Sequence, residues 1–375
     1  MYVFALCLVE TENNLMGILR TILALAVVVY HSFKIFGLHM CGGQLAVESF
    51  YMISGFYMAL ILNEKYVGVG SYKKFILSRF YRIFPLYWVI LSIAFIVSLI
   101  GYSAFNHPYY LARYINNYSC LSGSTIFYFI FENIAVIGQD ILYFLRLDEL
   151  CNPILTYNVL SFKHTGYQYL LVPQAWSISI EFMFYLIAPF LVTKKLKWQI
   201  LLVIIGIAIK CYFNFFYYLC FDPWTYRFFP FEIAFFMAGS LSYAFYKYIE
   251  HNLMSSIIGY LLLSVCIFCV SFIDEIKMND ELKNTLFYLL LWCSIPFIFK
   301  EFKDKKWDRQ IGELSFSLYI CHHLFVSLWR GYFFENPIYI PYYGYTVVLC
   351  SLMMAFVLQN TIVNTIEKYR AKRFS

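Results

Sequence analysis

The chain has 375 residues, 62% hydrophobic and only 13% charged, with a mean hydropathy of +0.66. Soluble domains run at about 45–50% apolar and about 25% charged, so a soluble globular fold is excluded, as are disorder, collagen-like repeats and a secreted disulfide scaffold. The net charge of +6 is modest and its basic residues fall in separate short clusters, which excludes a nucleic-acid reader.

Apolar runs are long and unbroken, not alternating with period two, so the predicted class is all-α, a polytopic membrane protein and not a β-barrel. The 40 Phe and 35 Tyr suit helix ends that meet lipid headgroups. Residues 1–14 read as a short leader: apolar over 1–9 and polar over 10–14, with no basic region and no cleavage site. Stretches long enough to cross a bilayer fall near 15–37, 44–62, 80–101, 175–193, 198–219, 228–246, 254–273, 283–299, 311–332 and 340–363. Basic clusters at Lys65–Arg79, Lys194–Lys197, Lys247, Lys300–Arg309 and Lys368–Arg373 can all lie in the cytoplasm together. That requires the region between about 102 and 174 to start and end outside. Segment 124–145, interrupted by Glu132, Asn133, Gly138, Gln139 and Asp140, is then re-entrant or interfacial. About ten spans result, with both termini cytoplasmic and one domain over 1–375 that closes in a basic tail at 364–375. The 11 Cys are scattered, mostly within apolar runs. Cys266 and Cys269 put two small apolar side chains on one helical face, and no spacing suits zinc or an iron–sulfur cluster.

A charge near the bilayer centre costs about 2.5–3.5 kcal/mol on insertion scales, so each intramembrane polar residue is a functional candidate. The first span carries Arg20 and His31, a rise of about 16 Å within about 20° of whole turns, so both share one face. Taken alone, the helix also admits a lesser reading, a snorkelling Arg and a satisfied core His. The second span carries Glu48, at a depth similar to His31 in an antiparallel pair; it is suited to orienting an imidazole, or to facing the outer headgroups. Arg79 and Arg82 in RFYRIFPLYW share a face at the cytoplasmic interface, where two guanidiniums suit phosphates or simple anchoring. In WSISIEFMFYLIAP, Ser177 and Glu181 lie one turn apart behind Trp176. In the ninth span Ser315, Tyr319 and His322 form a polar stripe, and only one of His322 and His323 can share it.

Together these segments resemble the membrane-bound acyltransferase 3 family, the glycan O-acetyltransferases. The resemblance rests on Arg20 and His31 in RTILALAVVVYH, LAVESFYMISGF at 45–56, RFYRIFPLYW at 79–88, WSISIEFMFYLIAP at 176–189, LSFSLYICH at 314–322 and the tail IEKYRAKR at 366–373. Departures are Glu48 where Asp is common, Met16 in place of an Asp near the first Arg, and Cys321 where Trp is frequent.

The resemblance implies a donor acyl-CoA, usually acetyl-CoA, on the cytoplasmic side and a hydroxyl of a cell-surface or lipid-linked glycan outside, in the plasma (inner) membrane and without a metal. On that reading Arg20, Arg79 and Arg82 hold the nucleotide and phosphates. His31 is the general base, with a transient acyl-histidine left open, and Glu48 orients it. Trp176, Ser177, Glu181 and His322 line the acceptor side. The rival classes are a secondary transporter, which predicts inverted repeats, and a glycan flippase or polymerase, which predicts charges spread along a lumen.

Overall fold

The structure, a computed structural model, describes residues 16–251 and 256–374; the leader expected over 1–14 lies outside the described residues. Helices dominate the described residues: α1 (Gly17–His31), α2 (Gly42–Glu64), α3 (Ser71–Phe105), α4 (Gly123–Ala135), α5 (Trp176–Leu191), α6 (Leu196–Tyr217), α7 (Phe229–Ile249), α8 (Ser256–Phe272), α9 (Asp280–Phe302), α10 (Lys306–Phe334), α11 (Ile340–Leu358) and α12 (Asn364–Phe374). Eight of the helical segments are long and apolar enough to cross a membrane. With α1 and α7 added, the helices fall on the ten stretches expected from hydropathy, and the all-α polytopic class stands. The only strands among the described residues, β1 (Leu145–Leu147) and β2 (Pro153–Leu155), form one short antiparallel hairpin.

The chain forms two compact units. One comprises the residues up to Ile83, Tyr185–Ile205 and the residues from Ile233 onward; the other comprises Phe84–Phe184 and Gly206–Glu232.

In the first unit α1 and α10 pack with a fixed register. The Gly17 amide donates to Asp308 Oδ2 at 2.7 Å, the Ile18 amide to Asp308 Oδ1 at 3.0 Å, and at the far end of α1 His31 Nδ1 meets His322 Nε2 at 3.2 Å. The first and last of these contacts have the same offset of 291 residues, so the helices run parallel. Two heptads, about 21 Å of rise, separate the two contacts on each helix. Midway, the same register sets Ala24 level with Ser315, both small and buried. At the start the backbones touch: a Cβ on Gly17 would stand 1.7 Å from the Asp308 carbonyl oxygen. Asp308 thereby binds the amides that the first turn of α1 leaves without helical partners, and places a negative charge at the positive end of its dipole.

Parallel packing also constrains the count of crossings. As first and ninth spans, α1 and α10 point the same way only if 124–145 does not add a crossing. The structure agrees in that 124–145 is not one continuous helix: α4 stops at Ala135, before the positive φ of Val136 and Gly138, and a short 3-10 turn and a strand follow. The basic segments of this unit are tied to one another's helix ends. Arg370 donates to Ser78 at 2.8 Å, Lys247 pairs with Glu64 at 3.3 Å, Lys303 reaches Tyr246 at 3.2 Å, and Gln199 bridges the Lys194 carbonyl (2.8 Å) to Ser240 (2.7 Å).

In the second unit, Ser122 caps α4 by accepting from the Thr125 amide at 3.1 Å, and the helix ends at Ala135, before Val136 and Gly138 at φ 67° and 101°. The polar residues that interrupt segment 124–145 are buried, and Asn133, Gln139 and Asp140 are hydrogen-bonded through their side chains. Asn133 donates to the Phe129 and Tyr169 carbonyls and accepts from the Leu171 amide, while Gln139 bridges Tyr87 and the Glu132 carbonyl. Asp140 accepts from Ser179 at 2.6 Å. A Cys120–Cys151 disulfide, not anticipated from the scattered cysteines, joins the loops on either side of α4 and β1.

Glu132 is 7% exposed and its Oε2 has no hydrogen-bond partner. Burial, with the nearby Asp140 charge, pushes its carboxyl up from 4.5 to about 7.

Two outcomes follow. Gly17→Ala forces α1 and α10 apart, so its apparent melting temperature in detergent should fall, in line with a cost of about 1–3 kcal/mol for overpacking; an unchanged melting curve would mean that the contact is not tight. For Glu132, the folded state prefers the neutral acid, so stability is greatest below the unfolded pKa and declines as pH rises from about 4.5 to about 7. Melting temperatures of Glu132→Gln should therefore decline less than those of the parent between about pH 5 and about pH 8, and equal slopes would assign the decline elsewhere.

Candidate active site

In the first unit, α1 delivers His31 from its last turn, where the ring is half-buried between Tyr30 (centroids 5.2 Å apart), His322 (5.1 Å) and His323 (6.0 Å). Both histidines of α10 therefore flank it, although the helical stripe admits only one. His322 is fully buried, and its Nδ1 lies 2.6 Å from the Tyr319 carbonyl oxygen. A carbonyl only accepts, so a neutral His322 carries its proton on Nδ1 and presents Nε2 as an acceptor. His31 Nδ1, 3.2 Å from that nitrogen and 3.0 Å from the Val27 carbonyl, is then the donor to both. In neutral His31 the lone pair consequently sits on Nε2. Two backbone carbonyls thus set the tautomers of two rings in series, and the arrangement suits proton abstraction by His31.

Glu48 is fully buried on α2. Its carboxylate accepts from Gln44 at 3.4 Å and from the Tyr288 hydroxyl of α9. Tyr288 was not singled out in the sequence, where it is one of many aromatics in an apolar run. Ser315 and Tyr319 are buried as the stripe required, with Ser315 donating to the Gly312 carbonyl at 2.7 Å.

Toward the other end of α1 lies Arg20, and Arg20 and Arg82 both act on one hydroxyl of α2. The hydroxyl of Tyr57 lies within electrostatic reach of Arg20, Asp308 and Arg82, and Arg82 also faces Glu313 alongside Arg309. Arg79 is 2% exposed, with its guanidinium 5.9 Å from the Phe75 ring centroid, whereas Arg82 is half-exposed. The two arginines of the motif therefore occupy different surroundings. Asp308 is a second residue that sequence reading passed over. It supplies the carboxylate at the start of α1 that Met16 lacks, from a helix 291 residues away, and no local pattern announces it.

In the second unit, Trp176 is buried beneath Arg227, whose guanidinium lies 4.2 Å from the centroids of Trp176 and Tyr143 and 4.6 Å from that of Tyr226. Asp222 holds Arg227 at 2.6 Å. Ser177 donates to the Gln174 carbonyl at 3.1 Å, and Glu181 is partly exposed one turn further on. On this helix the hydroxyl that meets a carboxylate is Ser179, through Asp140.

Among the described residues no group of three or more His, Cys, Asp or Glu is arranged to hold a metal ion. No curated protein and no solved structure matches the chain. A family model described as an acyltransferase domain, that of acyltransferase 3, matches residues 14–357. The match runs from before α1 into α11 and includes Arg20, His31, Glu48, Arg79, Arg82, Trp176, Ser177, Glu181 and His322, so the chain belongs to the acyltransferase 3 family.

Proposed function

We propose that the protein moves an acyl group, in the first instance acetyl, from cytoplasmic acyl-CoA to a hydroxyl of an extracytoplasmic glycan, within a single domain whose termini both lie in the cytoplasm. The observation that carries this reading is the His31–His322 pair, in which His31 donates from Nδ1 and so carries its lone pair on Nε2. His31 Nε2 accepts the proton of the acceptor hydroxyl as its oxygen attacks the thioester carbonyl. The carbon–sulfur bond then breaks, and the departing thiolate takes the proton from the imidazolium to give free CoA. The adjacent His322 Nε2 accepts a hydrogen bond from His31 Nδ1 throughout, which disperses the imidazolium charge. Glu48, held by Tyr288 and Gln44, adds a fixed negative charge on the neighbouring helix.

The donor side is supported by Arg20 and Arg82, both within electrostatic reach of Tyr57, with Arg20 about 16 Å of helix from His31, a distance of the same order as an extended pantetheine arm. Arg82, the half-exposed member, is suited to the phosphates; Arg79 is suited to holding α3 in place. Orientation is supported by the basic segments bonded to one another around the same helix ends, in keeping with the positive-inside rule. It is also supported by the Cys120–Cys151 disulfide, which suits an oxidising compartment for the loops of 102–174. Trp176, Ser177 and Glu181 are assigned to the acceptor side, with Trp176 fixed by its stack under Arg227.

His31→Ala should abolish the ester on surface glycan while the protein still inserts. His322→Phe, which removes the tautomer partner, should slow transfer by about a hundredfold; full ester content in the first variant would remove His31 from the chemistry. Arg82→Ala should raise the acyl-CoA concentration needed for half-maximal transfer in membrane vesicles while acceptor preference stays as it was. An unchanged donor response would make Arg82 an anchor only.

A further inference from the structure

The second unit contains a cavity of about 500 Å³ that the acyl-transfer chemistry above does not use. That volume falls in the range of small-molecule sites. Its walls include the rings of Phe144, Tyr157, Trp224 and Phe228, together with Thr156 and the carboxylate of Asp140. The rings of Phe144, Trp224 and Phe228 pack against one another. Trp224 donates its indole N–H to the Tyr157 carbonyl at 2.7 Å, and its ring packs edge-on to Phe144 (4.8 Å) and Phe228 (5.2 Å). The loop that carries Trp224 is closed by the Arg227–Asp222 pair, the same arginine that covers Trp176. Asp140 is 4% exposed and oriented by Ser179, whose hydroxyl donates to it at 2.6 Å and accepts from the Gly138 amide at 2.9 Å.

We infer that this cavity seats a pyranose ring of the acceptor glycan, with its C–H face against Trp224 and Phe228 and a ring hydroxyl donating to Asp140. Aromatic faces with one oriented carboxylate complement a sugar, which is apolar on its faces and a hydrogen-bond donor at its rim. A lipid tail would match the rings but would leave the buried carboxylate against hydrocarbon, a costly arrangement. The inference rests on the proposed acyl-transfer reading for the identity of the glycan, not for the cavity's chemistry.

The test uses the full chain in detergent carrying Thr156→Cys, with peptide-resolved maleimide labelling at position 156. The probe is the host's surface polysaccharide, freed of esters by mild alkali, with lauric acid as a parallel probe and no acyl-CoA present. The polysaccharide should slow labelling by roughly fivefold or more, a protection that Trp224→Leu removes and the isosteric Asp140→Asn weakens, as loss of a charged hydrogen bond would. Protection by lauric acid alone, or by neither probe, overturns the inference, as does undiminished protection in Asp140→Asn. A chain that is protected by polysaccharide yet transfers no acyl group keeps the cavity and rejects the acyl-transfer reading; one that transfers without protection does the reverse.

Discussion

The parallel packing of α1 against α10 is the constraint on which the rest of the site depends. One close backbone approach, Gly17 on Asp308, fixes the axial position of α1, and a constant offset carries that position two heptads along to His31 and His322. Parallel helices that keep heptad register present equivalent faces to each other at every second turn. A residue that alters the approach at the start of α1 therefore displaces an imidazole about 21 Å away. In this fold the helix-capping device and the catalytic candidate are two ends of one interface.

That interface also explains how a chain in an apolar solvent tolerates so many polar groups. In lipid every backbone and side-chain polar atom needs a protein partner or a wet cavity. Asp308 is held by α1 amides, His322 by the Tyr319 carbonyl and His31, and Glu48 by Tyr288 and Gln44. Most of these partners come from another helix or from the backbone itself. The polar residues thus specify which helices pair, which apolar surface does poorly when the lipid is as apolar as the helices.

Much of this was legible in the sequence because it has a period or a length. The ten hydrophobic stretches, the common face of Arg20 and His31, the Ser315–Tyr319–His322 stripe and the interruption of 124–145 all follow from helical geometry and bilayer thickness. The family followed from motifs in order along the chain. What could not be read is tertiary. His323 lies off the stripe, yet its ring centroid stands 6.0 Å from that of His31, and Asp308 supplies a carboxylate at the start of α1 from a distant helix. Tyr288 is one aromatic among many until Glu48 meets it. The Cys120–Cys151 bond was hidden because pairing depends on loops that have no period.

The two ends of α1 also divide the labour electrostatically. At its start the helix dipole is positive, and the Asp308 carboxylate, held by the Gly17 and Ile18 amides, offsets it within electrostatic reach of Arg20. At its end the dipole is negative, and there His31 donates from Nδ1 to the Val27 carbonyl of the preceding turn. A positive charge on that ring is favoured where the dipole points, and the favour grows as the imidazole takes a proton. The same helix therefore has a positive end compensated by Asp308 and a negative end that carries His31, with buried apolar turns between them.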